Sequence, residues 1–318
     1  MSTGKSEVFV GIDVSKTQLD VATRPEGTKF SVANSEEGIA DLVKILKTSP
    51  PTLIVLEATG GLEMPALSAL AAAGLPVVMV NPRQARAFAK ALGKLAKTDG
   101  IDADVLAHFG EATRPEVRPF KDHETQELTA LVARRRQLID MLTQEKNREA
   151  RAAQAILQNI RLNIEWLEKR VQEIEAQLNK NVRNCPAWRE KDNLLRSTPG
   201  VGKVLSFTLI ADLPELGALN QRKISALVGV APLNNDSGQR VGTRSVWGGR
   251  SHVRHVLYMA TIAALRHNPV IKAFHQRLIQ AGKKPKVAIV ACMHKQLIIL
   301  NAMVKKNTPW RTLPEFTG

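Results

Sequence analysis

Four acidic residues stand where they could hold metal ions. Asp13 closes a short apolar run, Val8 to Asp13, and Glu57 follows another, Thr52 to Leu56. Asp99 and Asp102 lie three apart in KTDGIDADVLAHF, a spacing that puts both on one face if the segment is helical. Carboxylates converging at strand ends are hard oxygen ligands, and Mg²⁺ is the usual occupant of such a site beside phosphate oxygens. Paired ions stabilise the attacking and leaving oxygens of a phosphoryl transfer. Taken singly, each acid has an ordinary explanation: Asp99 as a helix cap, Glu57 as a satisfied loop acid. As an ordered set on a strand pattern they predict a metal site made of Asp13, Glu57, Asp99 and Asp102. Asp20, Asp41 and Asp104 lack comparable placement and read as surface acids.

A second chemistry lies far along the chain. Ser237 sits between Asp236 and Gly238, ahead of Arg240, Arg244, Arg250 and Arg254, with His252 and His255 nearby. A serine in such a setting usually just makes a turn. The arginines add weight to a nucleophile, because guanidinium groups can clamp the charge that spreads over a phosphoryl transition state. A serine hydroxyl needs a general base or a metal to take its proton, and no base follows from the sequence. Upstream, Ser197 to Lys203 (STPGVGK) lies between two helical patterns, the shape of a helix-hairpin-helix. Gly200 and Gly202 would let the backbone approach a phosphate, with Lys203 and the next helix N-terminus meeting its charge.

The elements that must position these groups fall into three stretches. Residues 1–120 read as α/β: strands at Val8 to Asp13, Leu19 to Thr23 and Phe30 to Ala33, a helix after Ser35, a strand at Thr52 to Leu56, and a helix from Gly60-Gly61 to Gly74. A strand at Val77 to Val80 and a helix from Pro82 complete the set. Three strands followed by alternating helix and strand is the order of a ribonuclease-H-like domain, with an ordinary doubly wound fold as the alternative. Residues 121–194 are helical. Leu157, Ile160, Ile164, Leu167, Val171, Ile174 and Leu178 form a heptad seam that needs a partner helix. The partner is either the helix around Leu128 to Leu142 or another chain, with self-association slightly favoured. Residues 195–318 hold the glycine turn, the Ser237 loop and two helices, near Val253 to Leu265 and Val287 to Val304.

Composition narrows the partners. The 318 residues carry 45 Lys and Arg against 30 Asp and Glu, a net charge of +15. Such a surplus calls for a polyanion, bound in a salt-sensitive way. Aromatics are only 4%, so phosphate contacts should outweigh base stacking. The longest apolar run, Val287 to Met293, is far short of the ~20 residues of a membrane span. Cys185 and Cys292 have no metal-ligand spacing, and the start of the chain has no apolar leader, so the cytoplasm is the default.

The motifs GIDVSK, LEATGG, KTDGIDA, TPGVGK and GVAPLNNDSGQ, followed by WGGRSHVRHVLYMA, run in order along the chain. Together they resemble the DEDD-type insertion-sequence transposases, a family that includes related DNA invertases and bridge-RNA-guided recombinases. The last segment resembles most the subgroup whose elements carry subterminal inverted repeats. The resemblance implies a RuvC-like front domain whose Asp13, Glu57, Asp99 and Asp102 bind Mg²⁺, a coiled-coil middle, and a mostly helical transposase domain behind. It also implies that Ser237 attacks DNA to give a 5′-phosphoserine link, that a structured noncoding RNA pairs with donor and target DNA, and that tetramers, as dimers of dimers, bring one protomer's acids beside another's serine. Three other readings compete. A RuvC-like junction nuclease leaves the second half without a task. An actin-like ATPase lacks its second glycine-rich phosphate loop. A non-catalytic scaffold makes the acids incidental.

Overall fold

In the computed structural model the chain divides into two compact units, Met1–Phe120 and Lys121–Gly318. The described residues are 7–94, 99–117, 123–233, 242 and 244–311, without the side chains of 99–101 and 123.

The first unit is built on one sheet. Strands β1 (Phe9–Val14), β2 (Gln18–Arg24) and β3 (Lys29–Ala33) form an antiparallel meander, followed by helix α1 (Glu36–Thr48). Next come β4 (Leu53–Glu57), α2 (Met64–Ala72), β5 (Val77–Val80), α3 (Pro82–Ala91) and α4 (Asp99–Thr113). The sheet has five strands in the order β3-β2-β1-β4-β5, with β4 parallel to both β1 and β5. Local chemistry sets the boundaries. Ser35 caps α1 by accepting from the Gly38 amide, and Asn81 caps α3 by accepting from the Arg83 amide, ahead of a proline whose φ suits the first helical turn.

Strand periodicity sorts side chains onto two faces. Val10, Ile12, Val14, Ile54 and Leu56 pack with Ile39, Leu42 and Leu46 of α1 and Leu67 and Leu70 of α2. The alternate residues Phe9, Leu53 and Val55 pack with Ala85 of α3 and Leu106 and Phe109 of α4. The central strands are therefore apolar on both sides, as expected of a sheet covered by helices.

The second unit is helical. Helices α5 (His123–Glu149) and α6 (Gln154–Asn184) fold back on each other, and α7 (Pro186–Arg196), α8 (Lys203–Asp212) and α9 (Gln221–Val228) follow. Then come α10 (Ser251–His267), α11 (Pro269–Gln280) and α12 (Pro285–Lys306). Leu167, Val171 and Ile174 of the seam close on Leu138, Ile139 and Leu142 of α5, and Leu178 and Val182 enter the main core beside Leu128. The ion pairs Arg135–Glu175 and Lys146–Glu168, at 2.6 and 2.7 Å, run along the same antiparallel hairpin. This corrects the expectation that the seam favours another chain: α5 of the same chain supplies the partner, because a short connection makes its apolar face the nearest one.

Two further differences concern the last helices. Helix α11 was not foreseen, and a buried asparagine defines it. Asn268 accepts from the amides of Val270 and Ile271 while its Nδ2 donates to the Pro199 carbonyl. Helix α12 is long and apolar enough, by length and composition, to cross a membrane. Its Cys292, Met293, Leu297 and Leu300 are buried, and Gln296 accepts a hydrogen bond from Thr261 at 2.8 Å, so α12 is the core helix of this unit.

Candidate functional site

The sheet positions the acids through register and face. Ile12 pairs with Leu56 across the parallel strands, so Asp13 and Glu57, the next residues, are neighbours at the C-terminal ends of β1 and β4. Strand alternation puts both on the face that α4 covers. The cover is close because of one glycine. A Cβ on Gly11 would lie 2.0 Å from the Ala103 carbonyl oxygen and 2.3 Å from the Ala107 amide nitrogen. Backbone thus rests on backbone two residues before Asp13, and Asp102, which precedes Ala103, is carried to the same edge. Glu57 and Asp102 line one cavity of about 330 Å³, together with Arg86 of α3.

Asp13, Glu57 and Asp102 are each half-buried. Asp99 opens α4, and its side chain lies outside the described residues. Among the described residues no three His, Cys, Asp or Glu side chains are grouped closely enough to hold an ion. The donors that do converge are carboxylates at a cavity wall, and this donor chemistry fits a hard divalent cation.

Two acids take roles that the sequence did not suggest. Glu63 is buried, and its Oε2 accepts from the Thr59 amide (3.1 Å), the Thr59 hydroxyl (2.8 Å) and the Gly61 amide (2.8 Å). It fixes the loop that leaves Glu57. Burial opposes its charge, but hydrogen bonds from its own amide, Thr59 and Gly61 outweigh that and hold its carboxyl below the ordinary value. The visible signal was an acid six residues beyond Glu57 after two glycines. Asp104, expected at the surface, is instead partly buried and paired with Lys94 and Arg24. Its helix turns it away from the cavity and back onto β2.

In the second unit Ser237 and Arg240 lie outside the described residues. Leu233 and Ser245, which flank them in the chain, are joined by the Leu233 amide donating to the Ser245 carbonyl at 2.8 Å. Arg244 is exposed. Arg250 and Arg254 are occupied internally. Arg250 makes a bidentate pair with Glu215 (2.6 and 2.7 Å) and donates to the Asp212 carbonyl. Arg254 donates to the carbonyls of Gly248 and Val228. Both brace the start of α10 against α8 and α9.

The glycine turn also divides. Gly200, at φ +90°, would place a Cβ 2.5 Å from Ala264 Cα, so close packing on α10 explains it. Gly202 precedes α8 with open space around it and no side-chain cap, leaving the helix amides and Lys203 available. Lys203 lines a cavity of about 1010 Å³ with Arg136, His252, His255, Phe207 and Met259. There His252 Nε2 lies 3.2 Å from Asp212 Oδ2, a pairing that fixes the ring's orientation. Asp212 went unnoticed in the sequence because its partner is 40 residues away.

A carboxylate-edged α/β unit joined to a basic helical unit is the organisation of a transposase, an enzyme that cuts and rejoins DNA. Residues 10–158 match a transposase family, and residues 192–276 match the transposase IS116/IS110/IS902 family. The two matches follow in order and take in most of the chain, which belongs to the IS110 family of transposases. Two curated relatives are pilin gene-inverting proteins. The one from Moraxella bovis is 28% identical over 96% of this chain and 98% of its own length. The one from Moraxella lacunata is 27% identical over the same shares.

Proposed function

We propose that this chain is the recombinase of an insertion sequence, cutting donor and target DNA and rejoining the strands through a serine-linked intermediate. The observation that carries the reading is the placement of Asp13 and Glu57 at neighbouring strand ends, with Asp102 brought by the close seat of α4 on Gly11 to the cavity wall that it shares with Glu57. The strand order, an antiparallel meander extended by two parallel strands, fits the RuvC-like fold that the family resemblance implies. In this reading Asp13, Glu57, Asp99 and Asp102 hold Mg²⁺, which would supply charge neutralisation at the transferring phosphate. The Ser237 oxygen attacks phosphorus and the bond to the 3′-oxygen breaks: the upstream fragment leaves with a 3′-hydroxyl, taking up the proton that serine gives up, while the 5′-phosphate of the downstream fragment stays on serine. Attack by the exchanged strand's 3′-hydroxyl restores Ser237 and the phosphodiester, so no ATP is needed.

Lys203, the amides after Gly202, and Arg240 and Arg244 would hold phosphates in this scheme. Arg250 and Arg254 would shape the loop that presents them. The +15 charge supports a polyanion partner, and in the family resemblance that partner includes a structured RNA as well as both DNAs. A tetramer acting in the cytoplasm belongs to the same reading.

The test is a suicide DNA substrate. Wild-type protein should yield a denaturant-resistant adduct that mass spectrometry places on the Ser237 peptide, and S237A should yield none while still binding DNA. Wild-type cleavage by S237A would instead support a metal-only junction nuclease.

A further inference from the structure

Trp247 is 72% exposed, the most exposed of the large apolar side chains among the described residues. An indole left in water is costly, and here the backbone that carries it is built rather than loose. Directly after it, Gly248 and Gly249 take φ of +76° and +64°. A Cβ on Gly249 would lie 2.4 Å from the Gly229 amide nitrogen and 2.6 Å from the Val228 carbonyl carbon, so this turn sits backbone to backbone on the end of α9. The Arg250 amide donates to the Leu227 carbonyl at 2.9 Å, and Arg254 ties the Gly248 and Val228 carbonyls together. On the other side, Ser245 is bridged to Leu233, four residues before Ser237 in the chain. The chain is pinned before and after Trp247, and the ring is left free.

We infer that Trp247 is a stacking platform for an unpaired DNA base beside the cleavage site. This rests on the recombinase reading given above and adds a substrate feature to it. Both faces of a base in intact duplex are already stacked on neighbours, so a flat ring gains a partner only where the stack has opened. Strand exchange requires such an opening, and side chains that enter opened steps are a recurrent device of DNA-bending proteins. A tryptophan on a held backbone has only two side-chain torsions to order on stacking, which favours tight contact. Exposed Arg244, three residues earlier, can hold the adjacent phosphate.

The test measures binding of the full-length protein to an intact duplex and to one of equal length with a short single-stranded gap, in the same salt. Wild type should prefer the gapped DNA. W247A and W247L should lose that preference by about tenfold or more, the scale of one stacked base, while W247F keeps most of it. Binding to the intact duplex should be the same in all four proteins, since the ring packs on nothing that folding needs. A W247L protein as selective as wild type would overturn the stacking role in favour of a plain apolar contact. A gap preference unmoved in W247A, or a loss seen only with single-stranded RNA, would overturn it as well. Wild-type protein that binds neither duplex would defeat the recombinase reading along with this one.

Discussion

Replacing Gly11 by alanine tests the central geometric claim. The new methyl carbon would stand 2.0 Å from the Ala103 carbonyl oxygen and 2.3 Å from the Ala107 amide nitrogen. Both are backbone atoms of α4, so no rotamer change relieves the overlap. Carbon and oxygen settle at roughly 3.3 Å or more, so the helix must retreat by about 1 Å at its closest point. Overpacking costs about 1–3 kcal/mol, and with backbone on both sides the upper end applies. For a unit of this size that lowers the melting temperature by roughly 10 °C. Activity should suffer more, because α4 carries Asp102 and a misplacement of about 1 Å costs on the order of 100-fold. The control is G110A on the same helix. Its Cβ meets the Val55 Cγ2 methyl at 2.8 Å, a milder overlap with one side-chain atom rather than with the helix backbone, and about 1 kcal/mol of helix propensity gained by alanine offsets part of its cost. Calorimetry and a single-turnover cleavage assay should therefore separate the two variants. A G11A protein that melts and cleaves like wild type would refute the argument that α4 rests directly on β1.

Glu63 brings in pH. Its folded pKa lies below the ordinary value, so its contribution to stability is complete above about pH 4.3 and is lost as pH falls through the lower folded value. E63Q should melt lower at neutral pH and show a flatter acid limb; parallel melting curves for the two proteins would count against the role given to it. The arginines should part company. R250A strips a side chain 25% exposed from Glu215 at 15% and should cost about 2 kcal/mol, below the ~3–5 of a fully buried pair. R244A should leave stability unchanged and reduce the slope of log affinity against log salt by about one, and an unchanged slope would show that Arg244 meets no phosphate.

The sequence carried the strands and most helix boundaries because alternation, prolines and cap residues act over a few positions. Asp13 and Glu57 were legible for that reason: each ends an apolar run, and a strand's end is local information. The seat of α4 on Gly11 was not, since nothing near Gly11 announces which helix will cross it. Arg250 and Arg254 looked like phosphate ligands because a positive charge reads the same whether it faces DNA or a carbonyl. Their partners, Glu215 and the Val228 carbonyl, are 35 and 26 residues away. The heptad seam specified that a partner helix exists without specifying whose, and a short connection decided it. Asn268 escaped notice because capping α11 and bonding Pro199 are visible only once both elements are placed.

The α5–α6 hairpin has a consequence for chain length. Its root is locked into the main core by Leu128, Leu178 and Val182, whereas Ile156, Leu162 and Trp166 near its tip are exposed. Helices of 27 and 31 residues make an arm roughly 40 Å long. Removing seven residues from each helix shortens that arm by about 10 Å yet returns every remaining row to its original partner, because the seam repeats every heptad. The hairpin is therefore a ruler graduated in heptads: its reach can change in whole steps while the acids, the glycine turn and the Leu233–Ser245 bridge keep their geometry.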